Sequence, residues 1–128
     1  TKNHAPASDL LAGKVVAIYF SAHWCGPCRN FTPRLLALYQ EAKAAGKNFE
    51  VIFCSADHDE DGFEGYYSSM KWTAIDYSDD LRERIQSQFS VSGIPKLTVL
   101  SPTGRVIVEN AAGQALSLST VDAWIASK

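Results

Sequence analysis

Apolar and polar positions divide the chain into segments of two periods. Residues 15–20, Val-Val-Ala-Ile-Tyr-Phe, form a short unbroken apolar run rich in β-branched and aromatic side chains. Such a run predicts a strand buried on both faces. After a connection at 21–24, apolar residues return at steps of three and four: Phe31, Leu35, Leu38, Ala42 and Ala45 mark one face of a helix over 26–45. Gly46 closes that helix, because it tolerates the left-handed conformation that commonly ends helices. Pro33 lies inside the segment and predicts a kink. Residues 49–55 form a second buried strand. Strand, helix and strand then make a βαβ unit, with two parallel neighbours joined by a right-handed crossover.

Beyond this unit the segments shorten. Residues 57–61 are acidic and read as a loop, 62–70 as a short amphipathic helix carrying Phe63, Tyr66 and Tyr67, and 72–77 as an extended piece. Leu81, Ile85 and Phe89 fall on one face of a helix over 79–89. Residues 96–100 predict a strand, Ser101-Pro102-Thr103-Gly104 a tight turn, and 105–109 an antiparallel return. Residues 110–118 read as irregular. Ser119 is the expected cap of a last helix, with Asp122 three residues on and Val121 and Ile125 facing inward. The order β-α-β-(α-α)-β-β-α predicts an α/β sandwich whose mixed central β-sheet carries helices on both faces, since its first two strands are apolar on both sides.

Composition narrows the class without changing this picture. The length suits a single domain over residues 1–128, with 1–10 an irregular N-terminal segment. Hydrophobic residues make up 46% and charged residues 20%, which is ordinary globular usage. Twelve basic and fourteen acidic side chains leave a formal charge of −2, so nothing electrostatic argues for nucleic acid or an anionic membrane. No apolar run is long enough for a membrane-spanning helix. The chain starts with Thr, and we read it as a fragment or a processed form.

The chemistry lies in the cysteines. There are three, with one close pair, Cys25-Gly26-Pro27-Cys28. That usage fits a reducing compartment, read as the cytosol with the nucleus as the alternative. Cys25 falls where strand hands over to helix. Its sulfur meets unsatisfied backbone N–H groups carrying about half a positive charge. That environment favours the thiolate, which is the attacking species. Cys28, nearly one helical turn later, can close a small disulfide ring with Cys25. It is expected to be more buried and less ionised, which suits it to resolve a mixed disulfide. Pro27 is tolerated in a first helical turn and stiffens the loop. Trp24 offers a flat apolar wall beside the nucleophile.

Other readings of the same residues exist. Cys25, Cys28, Cys54 and His58 formally supply a zinc set. Against this, a C-x-x-C beside a βαβ unit reads as a redox motif, and Cys54 lies in an apolar strand where a free Cys behaves as a small hydrophobe. His23 either tunes Cys25 as a nearby cation or is an exposed loop residue. Ile94-Pro95 opens the strand at 96–100, where an ordinary trans Pro is the simplest reading.

Trp24-Cys25-Gly26-Pro27-Cys28, Pro33 and Ile94-Pro95, in this order, resemble the thioredoxin superfamily. The resemblance implies a thioredoxin-like three-layer sandwich, a cis Pro95 beside the Cys25 sulfur, and an Ile94 backbone presented to a bound substrate strand. It also implies a nucleophilic Cys25 and a resolving Cys28. Over nearly the whole chain, residues 19–25, Cys28-Arg29, Phe31-Thr32-Pro33, 49–57, Asp61-Gly62-Phe63 and Met70-Lys71-Trp72 look like the nucleoredoxin and tryparedoxin branch.

Departures from the pattern sharpen it. Gly26 stands where that branch usually has Pro. Tyr19 stands where plain thioredoxins carry a buried Asp that assists proton transfer to the second cysteine. Lys71 replaces a common Pro. Ser92 and residues 110–112 lack the acidic residue and the arginine with which tryparedoxins hold their polyamine-thiol reductant.

The implied activity is thiol–disulfide exchange that reduces protein disulfides, peroxiredoxin-type proteins among them, with an external thiol or reductase as electron donor. Trp24, Gly26, Pro27, Trp72, Ile94 and Pro95 are the substrate-side residues. The protein is expected to be a monomer that needs no metal and no cofactor beyond the Cys25–Cys28 disulfide. One rival is a redox-sensitive protein-binding module with little turnover. Another is an isomerase or oxidase of an oxidising compartment.

Overall fold

The computed structural model describes residues 13–78 and 80–127, so the N-terminal segment 1–10 and the start of the helix expected at 79 lie outside the described residues. The described chain runs β1 (Val15–Ser21), α1 (Gly26–Ala44), β2 (Phe49–Ser55), α2 (Glu60–Tyr67), β3 (Thr73–Ala74), α3 (Leu81–Gln88), β4 (Lys96–Leu100), β5 (Val106–Val108) and α4 (Leu118–Ala126). The five strands form one mixed sheet in the order β3-β2-β1-β4-β5. β1 and β2 are parallel, with Tyr19 opposite Phe53 and Ser21 opposite Ser55. β4 pairs with β1 antiparallel, and β5 returns antiparallel to β4 through a register shift at Val99/Leu100. The architecture is the thioredoxin-like α/β sandwich.

Alternation along β1 sorts the core into two layers. Val15, Ala17 and Tyr19 join α1, α2 and α4 on one face, through Phe31, Leu35, Leu38, Phe63, Tyr67, Val121 and Trp124. Val16, Ile18 and Phe20 face the opposite layer, where Ile85 of α3 packs with Ile52, Cys54 and Leu100. Every residue of β1 and β2 is buried. A strand wholly enclosed in this way leaves no polar face to alternate, hence the apolar runs at 15–20 and 51–54, and the buried Glu50 near the start of β2 is paired with Lys43.

Local chemistry shifts several boundaries. Asp59, in the segment expected to be a loop, is the N-cap of α2, and its carboxylate accepts from the Gly62 N–H at 2.7 Å. The helix therefore starts at Glu60 and ends at Tyr67, earlier at both ends than the hydrophobic pattern suggests. The last helix is capped by Ser117 rather than Ser119. The Ser117 hydroxyl reaches the Thr120 N–H, and Trp124 joins Val121 in the core while Ile125 is only half-buried. The turn after β4 forms as its residues dictate. The Gly104 N–H donates to the Ser101 carbonyl at 2.9 Å, and Gly104 takes a φ of +90°, which favours glycine.

Trp72 is corrected by packing. It is 1% exposed, with its ring edge-on to Tyr19 at 6.1 Å and to Tyr39 at 5.4 Å. An indole of this size buries 150–250 Å² and is drawn inward wherever aromatic neighbours can enclose it. It is a core residue, and it is not among the side chains that line the groove beside Cys25.

Candidate functional site

The site forms where β1 hands over to α1. Cys25 is the N-cap of α1, extended at φ −91° and ψ 112°, and its Sγ accepts the Cys28 N–H at 3.3 Å. A thiol thus occupies the position that Ser or Asp usually takes, facing amides that have no partner within the helix. Pro27 sits in the first turn, where its missing N–H costs nothing. α1 then runs on through Pro33 to Ala44.

Cys25 keeps 7% of its surface exposed, and Cys28 is completely buried. All three cysteines are free thiols. The Ile94–Pro95 peptide is cis, and the Cys25 thiol lies 3.7 Å from the Ile94 carbonyl oxygen. Trp24, Cys25, Gly26, Pro27 and Ile94 border one open groove of about 590 Å³, and Pro95 lines an adjoining recess of about 390 Å³ beside Ser92 and Lys96. The structure thus brings together every expected site residue except Trp72.

Beneath the pair lies a hydroxyl cluster that sequence reading does not assemble. Tyr19 and Thr32 are linked at 2.6 Å, Thr32 and Tyr66 at 2.6 Å, and Tyr66 and Ser21 at 2.7 Å. The Cys28 carbonyl lies within hydrogen-bond distance of both hydroxyls, 3.0 Å from Thr32 and 3.2 Å from Tyr19. All four hydroxyl-bearing residues are buried. The signal for half of this cluster is present in the periods: Tyr19 and Ser21 share a strand face, and Cys28 and Thr32 lie four apart on a helix. Tyr66 comes from a different element, and no local pattern points to it.

Burial pushes the Cys28 thiol up to about 11, reinforced by its contact with Cys25 and opposed by the Ser21 hydroxyl. Cys28 is therefore protonated near neutrality and holds a hydrogen to release. Burial likewise keeps the Tyr19 phenol neutral far into the alkaline range, so Tyr19 acts as a neutral hydroxyl.

A second bridge joins the two loops that flank the site. Asp57 is buried, and its carboxylate accepts from the His23 N–H at 2.7 Å and from the Ser55 hydroxyl at 2.7 Å. The His23 ring is exposed and rests edge-on against Tyr66 at 6.0 Å. Cys54 points away from the pair: its thiol faces the Arg82 carbonyl of α3 at 3.5 Å, and burial pushes it up to about 12. Among the described residues no group of three or more His, Cys, Asp or Glu is assembled to hold a metal ion. No helix among them is long and apolar enough to cross a membrane.

The arrangement thus sets one sulfur at the rim of an open groove with a second, protonated sulfur beside it. Comparison with known proteins points the same way. Residues 13–106 match the family model described as Thioredoxin-like. The chain is 48% identical to human nucleoredoxin over 101 residues, covering 78% of this chain and 23% of that protein. It spans less than a quarter of that relative's length. Tryparedoxin I from Crithidia fasciculata is similar in structure, with a TM-score of 0.76, 41% identity and coverage of 82% of this chain and 74% of that one. A thioredoxin from Wuchereria bancrofti reaches a TM-score of 0.78 at 36% identity, covering 97% of this chain and 89% of the other. With the close cysteine pair at the start of α1, the cis Pro95 beside it and these likenesses over most of its length, the chain belongs to the thioredoxin-like family of oxidoreductases, on the branch of the nucleoredoxins and tryparedoxins.

Proposed function

We propose that the chain reduces disulfides in protein substrates by dithiol–disulfide exchange. The observation that carries this reading is the Cys28 N–H on the Cys25 sulfur at 3.3 Å, in a groove bordered by Trp24 and Ile94. Backbone N–H donation stabilises negative charge on sulfur, and the thiolate is the nucleophile. Cys25 attacks one sulfur of a substrate disulfide and forms a mixed disulfide, and the other substrate sulfur leaves as a thiolate. Cys28 then gives its proton to the substrate thiolate released in the first step and attacks the Cys25 sulfur. This closes the Cys25–Cys28 disulfide and releases the fully reduced substrate.

Two electrons have passed to the substrate. An external dithiol or a reductase returns them, and no metal, flavin or nicotinamide is required in this chain. Trp24, Gly26, Pro27, Ile94 and Pro95 form the substrate side. The proposed setting is a reducing compartment, the cytosol or nucleus, with the chain acting as a monomer. Peroxiredoxin-type proteins are among the candidate substrates.

Insulin reduction with dithiothreitol as donor tests this. Wild-type protein is expected to turn over, Cys25→Ser to be inactive, and Cys28→Ser to accumulate a covalent complex with substrate. Full activity of Cys25→Ser would remove the assignment. Inactive wild-type protein in the presence of a working reductant would favour the binding-module alternative. A couple near the oxidising disulfide catalysts at about −120 mV, rather than near thioredoxin at about −270 mV, would point to an oxidase.

A further inference from the structure

Trp24 is 52% exposed next to Cys25, and such an indole is free to swing unless something holds it. Two contacts do, both from the connection between β2 and α2. Its Nε1–H donates to the Ala56 carbonyl at 3.2 Å, and its ring stacks on His58 with centroids 5.1 Å apart and planes 15° from parallel. That connection is itself braced. The Asp57 carboxylate takes the His23 N–H and the Ser55 hydroxyl, the Asp57 N–H donates to the Ser55 hydroxyl oxygen at 2.9 Å, and the Tyr77 hydroxyl donates to the Asp57 carbonyl at 2.7 Å. Asp59, the next residue after His58, is committed to the α2 cap. His58 is therefore an exposed ring on a fixed stretch of backbone, laid against the one exposed aromatic that borders the groove.

We infer that His58 is a positioning residue that sets affinity for protein substrates by holding Trp24 as a fixed wall of the groove. The inference rests on the disulfide-exchange reading and narrows its substrate class to chains that present an apolar segment beside the cystine. Such a segment gains contact area on the indole, and a wall held in advance loses little side-chain freedom on binding. Tryptophan is also the residue type on which binding energy most often concentrates. A small disulfide, which needs little more than access to Cys25, gains nothing from the wall. His58 does not touch the reacting sulfurs, so its effect falls on docking.

The test compares wild-type protein, His58→Ala and His58→Phe. It reads kcat and KM for insulin with dithiothreitol as donor, the rate with 5,5′-dithiobis(2-nitrobenzoate), and acrylamide quenching of tryptophan fluorescence. Trp72 and Trp124 are buried, so quenching reports on Trp24. Loss of one aromatic pair in His58→Ala is expected to raise KM for insulin about three- to tenfold, with kcat and the small-disulfide rate held, and to increase quenching. His58→Phe keeps a flat ring at the position and returns both KM and quenching to wild-type values.

The inference is overturned if His58→Ala retains wild-type KM and quenching, or if His58→Phe is as impaired as His58→Ala. Wild-type protein that fails to reduce insulin would strike the exchange reading instead. Quenching needs no turnover and still decides whether His58 holds Trp24.

Discussion

Cys25 and Cys28 carry the same functional group three positions apart, and their surroundings give them different tasks. One sulfur caps a helix at the edge of a groove; the other is completely buried, with its thiol pushed up to about 11 by burial. A raised pKa means that Cys28 stays protonated through the neutral range and ionises only as pH approaches that value. Reduced protein treated briefly with iodoacetamide at pH 7 is therefore expected to be modified at Cys25, with Cys28 and Cys54 protected. Mass spectrometry across a pH series should show Cys28 labelling only in the strongly alkaline range, and rapid labelling of Cys28 at pH 7 would contradict its assigned environment. Tyr66 offers a second test. Its hydroxyl joins Ser21 to Thr32, and Tyr66→Phe leaves both with one partner fewer in the interior. Urea unfolding is expected to show a loss of about 1–3 kcal/mol.

Among the elements, the ends decide more than the middles. α4 was expected to be capped by Ser119, but Ser117 provides the cap, and the two hydroxyls lie 2.9 Å apart. The residues are separable by mutation. Ser117→Ala is expected to cost about 1 kcal/mol by thermal or urea denaturation, whereas Ser119→Ala stays within about half of that. Equal effects would mean that the cap is shared. α2 is governed in the same way by Asp59, and α1 by Cys25. In α1 the capping position and the proposed nucleophile coincide in Cys25, so the start of that helix carries both the structural and the proposed chemical role.

For the whole molecule, the layered core and its ion pairs set stability. Trp72 sits among Tyr19, Tyr39 and the β2 aromatics, and Trp72→Ala is expected to cost about 3–5 kcal/mol, with loss of activity following loss of fold rather than loss of a contact to substrate. Tyr39 and Lys43 of α1 fasten that helix to β2 through Glu50, and the Lys43 ammonium lies 2.7 Å from the Glu50 carboxylate. Burial pushes that carboxyl up, but hydrogen bonds from Lys43 and Tyr39 outweigh it and hold it below its usual range. A depressed carboxyl stabilises the fold above its unfolded value. That contribution fades as pH falls through the lower folded value. Urea midpoints are therefore expected to decline below about pH 4.5, with Glu50→Gln showing a weaker pH dependence than wild type.

Several features were determined by the sequence alone, because each depends on neighbours along the chain. The apolar runs at 15–20 and 49–55 announced β1 and β2, the three-and-four spacing from Phe31 to Ala42 announced α1, and Ser101 to Gly104 announced the turn. The place of Cys25 and Cys28 at the start of a helix was legible because a handover from strand to helix creates free amides whatever surrounds it. Only the tertiary structure could decide which side chains from distant elements meet. It set Tyr66 of α2 against Ser21 of β1 and Thr32 of α1, laid His58 on Trp24 and drew Trp72 inward. The two hydrogen bonds of Tyr66 span 45 and 34 residues along the chain, and no periodicity carries information across such distances. They follow from how the helices seat on the sheet, which the summed packing of the core selects.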